Sequence, residues 1–450
     1  MWSCMLQVRR LPIEEAVRTS IISKKWRYRW TTMRVLVFDL QFSKKFSKNG
    51  AFGRNGFIRI INKFLILHTG PISKFLLHIP NIFLDTFEEV NQWMLLLSRR
   101  GVRELILANS NRSYELPSCV FSCLELRSLK MVNCFFNPPR AFEGFLNLEE
   151  LLLHHSDFGG RLCGTKINLP RLKRLALVTC TNVYNFNINA TKLQTLIVLD
   201  CPDAMLLRLL DSPCLFQAII ALRKPIQDFV RVEKITLATL MLNNLPSVRQ
   251  FCIDSHFLKF FIAEKIPKLL PHAIYSLKYL RLSHYQLADL HQLHGALCLL
   301  RNSPNLETLR LFMTMVPRVI DVGPASNHLE SPNCFDCTLN QLQTVEITCL
   351  EGSKPELLFI KLLLAHSPSL DNCNAVPSSL IKSKDVLLES QAIIMYMNNN
   401  STSIYGNVDR YLQPKSILHG VSVSATALGS SVQQYDRADI YETLMMHARE

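Results

Sequence analysis

One short pattern, apolar-x-x-apolar-x-apolar, recurs down this 450-residue chain and limits what it can become. VRELIL from Val102, LRSLKM from Leu126, LEELLL from Leu148, LKRLAL from Leu172 and LQTLIV from Leu193 are one unit, repeated at steps of 21–24 residues. Further copies begin at Ile72, Val232, Leu277, Leu306 and Leu342, and weaker ones at Leu215 and Val248. Alternation over six residues is the signature of a short strand with one apolar face. A strand that short cannot bury its face alone, so each unit depends on the next one stacking against it.

The period is that of leucine-rich repeats, in which one strand per unit lines a curved sheet. The chain is therefore expected to form an α/β leucine-rich-repeat solenoid, a horseshoe, with its repeats over residues 72–340. The cysteines fit this reading. Cys134, Cys180 and Cys201 each stand eight residues after a unit start, where such repeats place Asn or Cys in the turn leaving the strand. A small apolar thiol suits that slot, so these cysteines are read as packing residues. Past Leu193 the period loosens, with long insertions before Leu277 and Leu342. Insertions in a solenoid are expected to form loops and to carry binding surface.

Strand positions two, four, six and seven after each start should face away from the core. Ile106, Lys130, Leu152, Ile197, Tyr279, Arg281, Arg310 and Phe312 occupy such positions. Exposed Ile and Leu on a curved sheet mark a surface for a target protein. Tyr, Arg and Phe are residue types that anchor interfaces.

A helix is expected ahead of Val102. Asp85 suits its N-cap, and Val90, Trp93, Met94 and Leu97 recur on one face. Gly101 suits the left-handed position after its last turn. Gly50, Gly53 and Gly56 lie in a basic polar stretch and read as a linker, within an entry segment over residues 41–71.

Residues 11–30, LPIEEAVRTSIISKKWRYRW, read as two short helices. Pro12 suits a first helical position, with Glu14 and Glu15 at its positive end. Ile22, Trp26 and Trp30 fall on one face of the second helix, and aromatics on so small an element need a partner or a core to cover them. The net charge of +14 is concentrated nearby: residues 1–60 hold 13 Lys/Arg and 3 Asp/Glu, so 13 − 3 = +10. A basic end of this kind suits an acidic protein, anionic lipid or nucleic acid. The string Lys24-Lys25-Trp26-Arg27-Tyr28-Arg29-Trp30 has the composition of a single-strand binder, but its apolar spacing favours a packed helix.

LPIEEAVRTSIISKKWRYRWTTMRVLVFD resembles the second half of the box in the plant F-box/leucine-rich-repeat/FBD family. VNQWMLLLSRRGVRELIL is similar to that family's entry into its repeats, and LQTVEITCLEGSKPELLFIKLLLAHSPSL, residues 342–370, to its C-terminal FBD domain. The resemblance implies a partial F-box over residues 1–40 and an FBD domain over 341–397. It implies a substrate-recognition subunit of an SCF-type E3 ubiquitin ligase, in which the box docks on a Skp-type adaptor and cullin scaffold while the repeats hold a target. The adaptor contacts it implies are Leu11, Pro12, Ile13, Val17, Ile22, Trp26 and Trp30. MWSCMLQVRR stands where family members carry a Leu-Pro-x-x-x-hydrophobic first helix. The alternative is therefore a scaffold that binds proteins without the adaptor.

No cofactor, metal or catalytic group is expected. GxxxxGK[ST] and G-x-S-x-G are absent from the sequence. Cys334–Cys337 is a lone CxxC, and His154–His155 and His291/His294 lack a companion ligand set. MWSCMLQVRR has no continuous apolar core of a signal peptide, and Leu357–Ala365, interrupted by Lys361, is too short to span a bilayer. The expectation is a soluble intracellular protein of the nucleus or cytoplasm. Residues 398–450 lack the ladder and read as a flexible tail.

Overall fold

The structure, a computed structural model, describes residues 29–46, 50–83, 86–111, 113–159, 166–183, 187–201, 208–209, 212–222, 247–262, 273–314 and 321–377. Thirteen strands form one parallel sheet in chain order. The first five are β1 (Val35–Phe38), β2 (Lys74–Ile79), β3 (Glu104–Asn109), β4 (Ser128–Val132) and β5 (Glu150–His154). Then come β6 (Arg174–Val178), β7 (Thr195–Leu199), β8 (Gln217–Ala221) and β9 (Gln250–Asp254). The last four are β10 (Tyr279–Tyr285), β11 (Thr308–Met313), β12 (Thr344–Leu350) and β13 (Asn372–Pro377).

From β2 to β12 each strand begins two residues after a unit start, so identical repeat positions lie side by side. Leu105, Leu129, Leu151, Leu175 and Leu196 are successive register partners. The start and its third and fifth followers point into the core: Leu126, Leu129 and Met131 are fully buried, as are Leu172, Leu175 and Leu177. Each such side chain contributes about 1.5–3 kcal/mol when removed from water, which is why the pattern dominates the fold.

Eight α-helices are described: α1 (Leu40–Lys44), α2 (Gly50–Leu67), α3 (Glu88–Ser98), α4 (Ser118–Phe121), α5 (Ser255–Ile262), α6 (Leu290–Arg301), α7 (Gly323–Glu330) and α8 (Lys354–His366). Unit length decides where they occur. From Leu277 to Leu306 is 29 residues, enough to return to the sheet through α6. Units of 21–24 residues have room for only one helical turn or a short strand. Accordingly Lys166–Asn168, Asn187–Asn189 and Arg208–Leu209 make a second, three-stranded parallel sheet behind the middle units.

The turn leaving the strand is also repeated. Asn133, His155, Thr179, Asp200, His284 and Cys349, each seven residues after a start, all have positive φ. The residue after this turn points inward: Cys134, Cys180 and Cys201 are fully buried, as the spacing predicts. Their Sγ groups donate to carbonyls of Val132, Leu153 and Leu199 at 3.3 Å, and burial raises the Cys134 thiol far above its ordinary pKa.

Several expectations need correction. Gly50, Gly53 and Gly56 are not a linker but part of α2, whose Phe57, Ile61, Phe64 and Leu65 are buried. Four apolar residues at i, i+4, i+7 and i+8 outweigh three helix-weakening glycines. The helix ahead of Val102 starts at Glu88, with Phe87 before it and no side-chain cap; Asp85 lies outside the described residues. Its stripe of Val90, Trp93, Met94 and Leu97 is buried, and Gly101 has φ +67°. The weak copies at Leu215 and Val248 are full ladder strands, while the copy at Val232 lies outside the described residues. Met33 and Leu370 start two further units, so the sheet crosses residue 341 without a break. The insertions before Leu277 and Leu342 supply α5 and α7, whose Phe257, Leu258 and Ala325 pack in the core, rather than binding loops alone. No described helix is long and apolar enough to cross a membrane.

Candidate protein-interaction face

In a strand, side chains that do not face the core face the other way. The second, fourth and sixth followers of each start therefore form three rows across the opposite face. The fourth-position row runs Leu76, Ile106, Lys130, Leu152, Ala176, Ile197, Ile219, Cys252, Arg281, Arg310 and Glu346, each paired with the next. The rows sort into zones of different chemistry.

The first zone is apolar: Leu76, Ile106, Ala108 and Val132 pack together, joined by Leu40 from α1. A second apolar zone comprises Leu152, Ala176, Val178, Ile197, Leu199 and Ile219. Apart from Leu40, no helix residue enters either cluster. Among the described residues, α1 is thus the one helix that contributes to these clusters.

Between the two zones sits a charged knot around Glu150. Its carboxylate accepts from Ser128 Oγ at 2.8 Å and lies 3.2 Å from both Lys130 Nζ and Arg174 Nη2. Burial alone would raise this carboxyl; Lys130 and Arg174 outweigh it, and the net pKa is below the ordinary value. A second charged zone follows the apolar stretch. Arg310 Nε stands 2.8 Å from Glu346 Oε2, and its guanidinium lies 5.5 Å over the ring of Tyr279. Arg281 Nε donates to Ser283 Oγ at 3.2 Å. Burial pushes the pKa of the Tyr279 phenol up to about 12 and that of the Cys252 thiol up to about 11.

All eight residues expected at a target surface lie on this face, but their exposure differs from expectation. Ile106 (8%), Leu152 (2%), Ile197 (2%), Arg281 (7%) and Phe312 (7%) are nearly closed to solvent. Neighbouring side chains of the same row, one strand away, cover their flanks. Lys130, Tyr279 and Arg310 are half-buried. Thr195, Thr308 and Thr344 of the second-position row are half-buried as well. Glu150 and Glu346 were not expected as members; aligning the unit starts would have placed them beside Lys130 and Arg310.

Of the expected adaptor contacts, Leu11, Pro12, Ile13, Val17, Ile22 and Trp26 lie outside the described residues. Trp30 is the expected adaptor contact that falls among the described residues. It is buried in the core at the N-terminal end of the solenoid, with its ring edge-on to Phe64 at 5.0 Å. Among the described residues, no group of three His, Cys, Asp or Glu is arranged to hold a metal ion. His154 is buried, and burial lowers its pKa to about 3.

Residues 90–311 match the family model described as FBD-associated F-box protein At5g56370, LRR repeats. The chain is 30% identical over 381 residues to the F-box/FBD/LRR-repeat protein At1g13570 of Arabidopsis thaliana, an alignment covering 84% of this chain and 90% of the relative. It is 25% identical over 382 residues to the FBD-associated F-box protein At5g56370 of the same plant, covering 80% and 85%. A shorter alignment, 30% identical over 200 residues, relates it to the F-box/FBD/LRR-repeat protein At2g04230, covering 42% and 44%. With nine-tenths of the first of these relatives aligned and a ladder running through the matched region, the chain belongs to the plant F-box/FBD/LRR-repeat family.

Proposed function

We propose that this chain is the substrate-recognition subunit of an SCF-type E3 ubiquitin ligase. It contributes no bond-making chemistry of its own; it contributes proximity and orientation. The target docks on the sheet face opposite the core, where two apolar zones alternate with the Glu150 and Arg310 charge clusters. The apolar zones supply contact area and the charges fix register. A Skp-type adaptor is held through Leu11, Pro12, Ile13, Val17, Ile22 and Trp26. Trp30 serves the solenoid's own core instead.

The observation that carries this reading is the joining, in one family member, of F-box relatives aligned along most of the chain with a long sheet face that presents alternating apolar and charged zones. The test is affinity purification of the tagged full-length chain from plant cells, with the proteasome inhibited. Recovery of a Skp-type adaptor, a cullin and one or more ubiquitylated proteins is expected. Recovery of protein partners without adaptor or cullin would replace the ligase reading with that of a binding scaffold.

A further inference from the structure

We propose that the rim where the strands begin is a second interaction surface, over the units that start at Val102, Leu126, Leu148, Leu172 and Leu193, and that its partner is an acidic amphipathic helix of another protein. This rim is separate from the target face, and the proposal does not depend on what that face binds.

Leu124 and Leu146 each stand two residues before a unit start. β4 and β5 pair in register, so the two lie side by side where the chain enters the sheet. Asn147 Nδ2 donates to the carbonyl of Leu124 at 2.9 Å, and Arg171 Nη1 donates to Asn147 Oδ1 at 2.8 Å, which ties three successive units together at this rim. Leu124 is 72% exposed and Leu146 is 59% exposed. The equivalent residue of the next unit, Pro170, is exposed too. Three apolar side chains thus form a ridge in water, and a contiguous exposed apolar feature marks a contact surface.

The ridge is flanked by cations. At the positions two before, one before and one after these five starts stand Arg100, Arg103, Arg127, Arg171, Lys173 and Lys192, against Glu125 and Glu149 alone. At the same positions of the later described units, from Leu215 to Leu370, Arg249 and Lys278 are balanced by Glu307 and Asp371. The positive charge is therefore local to the ridge. Both carboxylates there are already engaged. Glu125 lies 3.6 Å from Arg103 Nε, and Glu149 lies 2.7 Å from Lys173 Nζ and 3.9 Å from Arg127 Nη1. The hydrogen bond from Lys173, with Arg127 and Arg171 nearby, holds the Glu149 carboxyl below its ordinary pKa against the effect of burial. One carboxylate serving three cations leaves the rim positive.

The two features together select the partner. A protein segment with Asp or Glu beside apolar residues covers the leucines and matches the cations. A nucleic acid would match the cations but has no apolar surface for Leu124 and Leu146, and no aromatic ring stands at these rim positions for a base to stack on. An anionic membrane would take up the leucines, but it would press Glu125, next to Leu124 in the chain, against like charge. Spacing specifies the conformation. Adjacent units stand about 4.8 Å apart, close to the helical pitch of about 5.4 Å. A helix lying along the ridge therefore sets one apolar residue per turn against each unit.

The test titrates the full-length chain into a fluorescein-labelled peptide of three Leu-Glu-Ala-Leu-Glu-Glu-Ala repeats and follows fluorescence anisotropy. Saturable binding is expected, weakened by about tenfold or more in twin peptides with Ala for Leu or Lys for Glu. Leu124→Glu with Leu146→Glu, and separately Arg171→Glu with Lys192→Glu, should each weaken binding by about tenfold or more. All four side chains are exposed, so the Tm should hold. Thr308→Glu with Thr344→Glu, on the target face and remote from these units, should leave peptide binding unchanged. The twin peptides test the same point without any substitution in the chain. Absence of saturable binding overturns the proposal, as does binding that the Leu124/Leu146 variant or the Ala-for-Leu twin leaves undiminished. So does leucine-dependent capture by mixed phosphatidylserine and phosphatidylcholine vesicles without peptide binding, which would make the partner a membrane.

Discussion

Ser43 Oγ stands 2.5 Å from Nδ1 of His78, and both side chains are buried where α1 crosses the start of the sheet. The hydroxyl of Ser43 donates to the carbonyl of Leu40 at 2.9 Å. Its oxygen is therefore left to accept from Nδ1–H, and the bare Nε2 accepts from Ser110 Oγ at 2.9 Å. This arrangement needs a neutral imidazole.

A pH dependence follows. Burial lowers the His78 pKa to about 4, against a favourable effect of Asp39. A histidine whose folded pKa is below its unfolded value of about 6.5 stabilises the fold fully above that value and loses the contribution as pH falls toward 4. Across that window the loss approaches ~3 kcal/mol. His78→Gln keeps hydrogen-bonding capacity without the titration. Urea unfolding at pH 7 and at pH 4.5 should differ less for this variant than for the unsubstituted chain. An unchanged difference would remove His78 from the account, leaving other groups such as His154.

Glu150 is the anion on which Lys130, Arg174 and Ser128 converge, and its side chain is 10% exposed. Glu150→Gln removes the charge and leaves two cations side by side. The expected cost is about 2 kcal/mol, below that of a fully buried pair because Arg174 is partly in water. Because the knot separates the two apolar zones, the variant should also weaken target binding. Chemical denaturation reads the first effect and co-purification the second.

Gly144 has φ +136°, and a Cβ built on it would come within 1.8 Å of the carbonyl oxygen of Asn168. That carbonyl belongs to a short outer strand whose Asn168 N–H donates to Glu143 O at 2.7 Å. Neither backbone can yield without breaking the contact. Gly144→Ala should therefore cost at least ~3 kcal/mol, combining a forbidden backbone conformation with a clash. Thermal unfolding followed by circular dichroism checks this; an unchanged Tm would mean that the Gly144 segment and the Asn168 strand separate freely.

The ladder was legible because it is enforced by burial. Wherever Leu, Met or Val stood at the start and at its third and fifth followers, a strand formed. The reading failed where that signal was diluted. Leu370-x-x-Cys373 is too polar to notice, yet register with β12 makes it a strand. Gly50–Leu67 was obscured because glycines flag loops locally, whereas its apolar face becomes decisive only against the sheet. For the face, position was legible and exposure was not. Counting two, four or six from a start tells which way a side chain points. It does not tell that Leu152, Ala176 and Ile197 on adjacent strands shield one another. The ion pairs of Glu150 required strand register, a relation between units rather than a property of any one.

The same shielding decides how the proposed target-binding face should be probed. Truncating Arg281 and Phe312, the residues the sequence marks as anchors, would disturb packing and binding together, since both are buried. Thr195, Thr308 and Thr344 lie in the second-position row of the same face and are only half-buried. Replacing all three by Glu projects negative charges into the docking space without emptying the core. The intrinsic penalty is under ~1 kcal/mol per site, while an unpaired charge trapped beneath a partner costs several times that. The triple variant should retain its Tm within a few degrees and retain whatever adaptor the unsubstituted chain recovers. Its ubiquitylated partners should fall by at least about tenfold, equivalent to ~1.4 kcal/mol. Undiminished recovery of those partners would move the target to another surface of the solenoid, even if adaptor binding is intact.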